Sequence, residues 1–478
     1  MKFKVFKRKI SVLILLAAAV FHIFPTAVWA NSAIKEWSGT DASGVGIKDK
    51  SCPVTVRHEK LTFDIPTFPN GYYGDGEQLS EYRASVTARY EFYNPKDYKV
   101  TTTLAFPFGD IPEYVDPGND EYYDPMNLDR YGVTLNGEDA AVTLRHTYFD
   151  RYSETFETEE QLARLRDIYA EEGFLNRDTT VTAYTYTVTE TDPEENCYAS
   201  FELNGIGERR YVVADYGYYS FHESKIDFGI YINEAKGVDS FTVYIIGEPL
   251  ENAVNPQLFE SSRENKAAQG TVTLKSTEQT TLRQLALINH NPEGDITELD
   301  RFNAVVDCII TKWENGEMTA LWGLTEMSDR LMRWYTYEMT VPAGDTVINE
   351  VTAPIYPDID GGFEPSLYSY NYLLSPARSW AGFGKLDIEI ITPYYLIESD
   401  IFPKLEKTES GYATSLNGLP SGELRFTLSS DPSPKREITP YTFLGIGIYA
   451  AIIGAAVAVP AAIITVTVIL VIKRRRTR

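Results

Sequence analysis

The sequence predicts a mainly β protein: two antiparallel β-sandwich-like extracellular domains with a few helices, plus one C-terminal transmembrane helix. Three observations carry that reading. Short runs of alternating apolar and polar residues recur along the chain, punctuated by Gly, Pro and Asn, as in Ser85 to Phe92 and Tyr131 to Arg145. Phe443 to Ile472 contains no charged residue, is long enough to cross a bilayer, and is closed by Lys473-Arg-Arg-Arg-Thr-Arg478. Five basic residues between Met1 and Lys9 precede the apolar run Ile10 to Phe24 and small residues at Ala27 and Ala30, the layout of a secretory signal peptide cleaved after Ala30.

These ends give an order of segments. Residues 1–30 are read as a signal peptide, 31–250 as a first β-rich extracellular domain and 251–440 as a second one with a helix near 298–314. Residues 443–472 form the span and 473–478 a basic stub, which the positive-inside rule places in the cytoplasm. The implied location is a cell membrane, crossed once, with the ectodomain outside. Six residues cannot form a signalling domain, so any signal passing inward would need a second membrane protein.

Each element has a local cause. In Ser85 to Phe92, Val86, Ala88, Tyr90 and Phe92 alternate with polar residues, Asn94-Pro95 turns the chain, and Val100 to Phe108 resumes the pattern. Asn136-Gly137 readily accepts positive φ and marks a hairpin. Further strand patterns cover Thr180 to Val188, Lys225 to Ile232, Ser240 to Ile246, Thr271 to Lys275, Trp334 to Val341, Leu386 to Ile391 and Glu423 to Leu428. Thr158-Glu-Glu-Gln161 is a capping box opening a helix whose apolar face, Leu162, Leu165, Ile168 and Tyr169, extends toward Gly173. Phe302, Val305, Val306, Ile309, Ile310 and Trp313 predict a second helix with a packing face. A domain boundary is expected near Gly247 to Gly270, where periodicity fades.

Charge excludes one function class. Of 44 basic residues, ten lie in the two end segments, leaving 34 against 68 acidic groups in the ectodomain. A field of that sign repels nucleic-acid phosphates, so no nucleic-acid partner is expected. Three cysteines, Cys52, Cys197 and Cys308, are too few for a disulfide scaffold and form no zinc motif. Twenty Asn residues yield no Asn-x-Ser/Thr acceptor, which favours a bacterial surface, and with the tail anchor a Gram-positive cell.

Motifs for chemistry are scarce. The chain has neither H-E-x-x-H nor G-x-S-x-G, and Ser32-Ala-Ile-Lys35 falls in an expected N-terminal tail without the companion motifs of a Ser-Lys enzyme. A glycosidase needs only two carboxylates and leaves no local motif. Acidic stretches at Asp116 to Asp124 and at Asp358 to Glu364 lack the spacing of a calcium loop. No catalytic, metal or cofactor-binding residue is therefore assigned, and no cofactor is expected. The remaining signal is aromatic: 33 Tyr, 23 Phe and 6 Trp. Tyrosines gather at Tyr72-Tyr73, Tyr122-Tyr123, Tyr216 to Tyr219, Tyr368 to Tyr372 and Tyr394-Tyr395, where flat faces with a hydroxyl suit sugar rings or a protein partner.

Two resemblances add to this. Ala84-Ser-Val-Thr-Ala-Arg-Tyr-Glu-Phe-Tyr-Asn94, then Val100 to Phe108 and Val133-Thr-Leu-Asn-Gly137, resemble the opening strands of the vault/inter-alpha-trypsin (VIT-type) β-sandwich over about sixty residues. Tyr370 to Ile391 resembles a segment of uncharacterised membrane-anchored surface proteins of Gram-positive bacteria. Both resemblances imply a sandwich used for contact; the adhesion domain with its D-x-S-x-S strand end does not follow. The functional expectation is a cell-surface protein whose ectodomain binds an extracellular protein or glycan. Alternatives are an external subunit of a membrane transporter or sensor, and a cell-wall glycan hydrolase. Ala450, Gly454 and Ala458 recur every four residues in the span and would allow a homodimer. Gly454→Ile is expected to abolish such a dimer in membranes; an unchanged dimer would discard the stripe.

Overall fold

The computed structural model describes residues 33–39, 52–69, 82–109, 131–150, 158–169, 174–192, 197–233, 237–250, 256–260, 266–292, 294–325, 327, 331–401 and 403–436. The expected signal peptide, the acidic stretch Asp116 to Asp124, the pairs Tyr72-Tyr73 and Tyr122-Tyr123, and the expected span with its basic stub lie outside them. No helix among the described residues is long and apolar enough to cross a membrane.

The protein is mainly β, with several sheets. Its widest sheet has eight strands in the order Glu406–Lys407, Gly411–Asn417, Phe383–Ile391, Thr55–Asp64, Ser85–Tyr93, Thr346–Pro354, Gly132–Leu135 and Glu138–Asp139. Neighbours are antiparallel except Thr55–Asp64 and Phe383–Ile391, which run parallel although more than 300 residues apart in sequence. Two four-stranded sheets share its core. One orders Ala33–Gly39, Val100–Gly109, Met332–Val341 and Thr143–Thr147; the other orders Asp358–Asp360, Leu367–Tyr372, Leu424–Ser429 and Tyr395–Ser399. The alternation read in Ser85–Tyr93 places Val86, Ala88, Tyr90 and Phe92 in this core, with Leu61, Phe63, Leu386, Ile388 and Phe426. At the hairpin, Asn136 and Gly137 take φ of 52° and 84°, and the Asn136 side chain accepts the Ile348 N–H at 2.9 Å.

A second β unit is inserted between Thr147 and Met332. It stacks the sheet Arg210–Val213, Ser240–Gly247, Thr180–Thr189, Thr271–Thr281 on the sheet Tyr218–His222, Lys225–Ile232, Cys197–Asn204, Gln257–Phe259. The helix Glu298–Glu314 covers the other face of the first sheet, setting Phe302, Val305 and Ile309 against Val181, Val213 and Ile246. Thr297 caps this helix, its hydroxyl accepting the Asp300 N–H at 3.1 Å.

The sheets cross the expected boundary at 250/251 in both units. Ser85–Tyr93 pairs with Thr346–Pro354, and Thr180–Thr189 pairs with Thr271–Thr281. The stretch Gly247 to Gly270, where periodicity fades, lies within the inserted unit and contains its strand Gln257–Phe259, because a composition shift does not report which strands pair. Thr271–Thr281 also runs six residues beyond the expected Lys275, continuing past a bulge between Leu274 and Ser276.

Two further expectations need correction. The first helix spans Thr158–Arg164 and stops short of Gly173. Beyond it Arg166 and Asp167 are held in ion pairs with Asp307 and Arg145, and Ile168, expected on the apolar face, is 65% exposed. Ala33–Gly39, expected as a tail, is an edge strand antiparallel to Val100–Ala105. Short helices at Leu282–Ala286 and Leu321–Thr325 had no periodic signal, since five residues make little more than one turn.

Candidate functional site

The outer sheet of the inserted unit presents the most suggestive surface. In Cys197–Asn204 and Lys225–Ile232 one parity faces inward, including Ala199, Phe201, Ile226 and Phe228, all buried. The opposite parity carries Tyr198, Ser200 and Glu202 on one strand and Lys225, Asp227 and Tyr231 on the next. The edge strand Tyr218–His222 adds Tyr218, Ser220 and His222, and its cross-strand pairs with the neighbour are Tyr218 with Gly229 and Ser220 with Asp227.

Gly229 shapes this face. A Cβ at that position would lie 2.1 Å from Cε1 and 2.6 Å from Cζ of Tyr218, so the ring rests over the bare backbone of the neighbouring strand. Gly217 does the same for Tyr198, whose Cε1 would be 2.6 Å from an added Cβ. Tyr198 meets Tyr218 and Tyr231 edge to face, with ring centroids 5.5 and 6.0 Å apart. The Tyr218 and Ser200 hydroxyls are hydrogen-bonded at 2.9 Å, which fixes the ring laterally. Around the rings, the Lys225 ammonium donates to Glu202 at 2.9 Å and lies 3.6 Å from Asp227, while Ser220 bonds His222 at 3.2 Å. The result is three partly exposed tyrosines ringed by donors and acceptors on a sheet.

Sequence clustering alone did not find this set. The Tyr216 to Tyr219 cluster is split by its strand: Tyr218 faces out, whereas Tyr216 and Tyr219 pack with Phe221 against the core. Tyr198 and Tyr231 stand alone in sequence, and the signal that finds them is parity, each sharing its strand's polar face. In Leu367–Tyr372, Tyr370 and Tyr372 are fully buried and Tyr368 stacks on Phe68. Tyr394 stacks on the other face of Phe68, and Tyr395 is 41% exposed.

Neither His58 nor His146 is placed to activate a nucleophile. His58 Nε2 lies 2.8 Å from Asp387, whose other oxygen accepts the Ser415 hydroxyl at 2.6 Å. A carboxylate thus sits between the serine and the imidazole, so His58 is not in contact with the hydroxyl it would have to deprotonate. Burial alone would raise the Asp387 carboxyl, but hydrogen bonds from Lys385, Ser415 and His58 outweigh it and hold it at about 2. His146 is buried beside Arg333 and Arg145, and desolvation with those charges holds its ring at about 3. Its nitrogens face no hydrogen-bond partner, so it is a neutral packing group. Glu59 is wholly enclosed: burial pushes its carboxyl up to about 8, with the Tyr90 hydroxyl working against the shift. A general acid with that affinity for its proton would need access to substrate, which Glu59 lacks.

Asp358 accepts the amide of Asn371 on the paired strand at 3.1 Å, and Asp360 accepts the Gly362 N–H at 2.9 Å, so both are engaged by side-chain or backbone donors nearby. No cluster of three or more His, Cys, Asp or Glu able to hold a metal is found among the described residues. Cys52, Cys197 and Cys308 are buried thiols, and burial pushes the Cys52 thiol up to about 11 and the Cys308 thiol to about 12.

A buried ionic joint orients the inserted unit. Arg145, on Thr143–Thr147, donates through Nε to both Asp300 oxygens at 2.9 and 3.2 Å, and through Nη1 to Asp167 at 2.6 Å. Asp300 also accepts the His146 N–H at 3.1 Å at the positive end of its helix. Burial opposes the Arg145 charge, but Asp300 and Asp167 overcome that and raise its pKa above the ordinary value. Farther along the helix, Arg166 grips Asp307 at 3.0 Å and Lys312 grips Asp150 at 2.5 Å.

No family model and no curated protein matches the chain. Among solved structures, the chain is similar to a Legionella pneumophila protein provisionally described as nutrient binding. The likeness covers 84% of this chain and 71% of that one, at 11% identity and a TM-score of 0.31. So distant a likeness carries no argument about fold or function.

Proposed function

We propose that this chain is a single-pass cell-surface protein whose ectodomain binds an extracellular glycan through Tyr198, Tyr218 and Tyr231. The observation that carries this reading is the Tyr218 ring laid over Gly229. A ring resting on a sheet offers its free face to the C–H surface of a sugar, while Ser200, Asp227 and Lys225 stand where hydroxyl groups need partners. The acidic excess of the ectodomain disfavours polyanions and favours neutral or amino sugars.

The test incubates soluble Asn31–Pro440 with cell-wall fragments and a neutral glycan panel, reading pelleting and newly released reducing ends from the same tubes. Pelleting without release is expected. Gly229→Ala places a methyl where the Tyr218 ring lies and should swing that ring away, weakening binding at least as much as Tyr218→Ala. Each lost ring contact should weaken binding by about two- to twelvefold, given about 0.5–1.5 kcal/mol for an aromatic contact beyond its buried area. Release of reducing ends would replace this reading with the hydrolase. Capture of a protein with no glycan bound would keep the surface but change its ligand.

A further inference from the structure

A second aromatic surface lies where the described chain ends. Tyr395 pairs across strands with Ser429, and Tyr368 pairs with Leu428, so both tyrosines sit where the last long strand leaves its sheet. The chain then forms the short strand Lys435–Arg436, paired with Phe363–Glu364. Phe68 is stacked between Tyr368 and Tyr394, at centroid distances of 3.8 and 3.7 Å. Tyr395 projects beside them, with Lys407 Nζ 6.0 Å from its centroid, and the Arg436 guanidinium lies 6.0 Å from the Phe363 ring.

The chain's own length says what this end faces. Residues 437–442 alone separate Arg436 from the uncharged run beginning at Phe443, and six residues fully extended reach roughly 20 Å across the gap. If Phe443 enters a bilayer, the end bearing Tyr395 and Phe363 lies within that tether of the lipid surface. Tyrosine and lysine or arginine, each with an apolar body and a polar tip, are the residue types that settle at such an interface.

We propose that this end of the sandwich, with Tyr395, Tyr394 and Phe363 foremost, rests on the headgroup region of the outer leaflet and forms a second membrane contact beside the span. The proposal rests on the single-span reading given above. Lys407, Lys435 and Arg436 are interspersed with Glu364, Glu406, Asp360 and Asp431, so charge is nearly balanced there. The contact is therefore made by aromatic side chains and the stems of the basic ones, and it does not depend on anionic lipid. Its consequence is orientation, because a body tethered at one point swivels while one that also rests on its base keeps a fixed face outward.

The test uses the full chain reconstituted into phosphatidylcholine vesicles, with and without phosphatidylglycerol. Nitroxide labels go on Gly361→Cys, where an added Cβ meets nothing within 4 Å, and on Ser430→Cys, which is exposed. Ala343→Cys, in the exposed turn between Met332–Val341 and Thr346–Pro354, is the control, and the native thiols are all buried. Oxygen and nickel accessibility should place labels 361 and 430 at headgroup depth in both lipids and at high salt, with label 343 in water. The Phe363→Ser/Tyr395→Ser pair should return labels 361 and 430 to the reading at 343 while the chain still floats with the vesicles. Labels 361 and 430 that match 343 in the unsubstituted, floating chain overturn the contact and leave the span intact. A chain that does not float overturns the single-span reading and the contact together.

Discussion

Asp300→Ala should destabilise the protein by about 3–5 kcal/mol, because it leaves the Arg145 guanidinium buried without its principal counter-ion. Asp300 is 2% exposed and Arg145 7%, so solvent cannot take over the lost partner. Asp167, the other carboxylate on Arg145, is largely exposed and compensates little. The His146 N–H loses an acceptor in the same substitution. Replacing both members, Asp300→Leu with Arg145→Met, should recover most of the loss, since the only charge then left without its partner is the exposed Asp167. Urea titrations of the single and double variants measure this, and a single-variant cost below about 1 kcal/mol would show that the joint does not hold the inserted unit in place.

Glu59→Gln should leave stability near pH 4 almost unchanged and raise it increasingly as pH rises to 8. The Glu59 carboxyl is held up at about 8 in the folded protein, against about 4.5 when exposed. Below the lower value both states carry the proton and the folded state bears no penalty. Between the two values the unfolded chain ionises while the folded one keeps its proton, so stability falls with rising pH; above the upper value the loss is complete. By pH 7 this group alone costs about 3 kcal/mol. Gln is close in shape and does not ionise, so the gap between variant and parent should open over that window. Parallel pH profiles for the two proteins would refute it. Asp387 works in the opposite sense, since its depressed carboxyl contributes stability that is lost as pH falls toward 2.

Glu59 also shows where the sequence could be read and where it could not. It shares strand parity with Leu61 and Phe63, so Thr55–Asp64 places it among core residues. The bulge between Val56 and His58 shifts the phase at the start of that strand and hides the alternation. Ser85–Tyr93 and the Asn136-Gly137 hairpin were legible because their causes are local, a period of two and a backbone preference. The helix Glu298–Glu314 was legible for the same reason, through Phe302, Val305, Val306 and Ile309. The parallel pairing of Thr55–Asp64 with Phe383–Ile391 was not, since it depends on contacts hundreds of residues apart that leave no local mark. The tyrosine face falls between these cases. Parity gives the outward direction of Tyr198 and Tyr231, but their meeting depends on how three strands align and on two glycines that leave room.

The split of the wide sheet has a consequence for the order in which the chain acquires structure. Thr55–Asp64 and Ser85–Tyr93 are made early, but their partners Thr346–Pro354 and Phe383–Ile391 follow only after the whole inserted unit. The inserted unit has its own sheets and core, and all its strands are available once Thr281 has been made. The earlier strands must wait, with apolar faces and outer edges uncovered, while nearly three hundred further residues are synthesised. A chain of this design folds from its middle outward, and its first-made strands are the last to be sheltered.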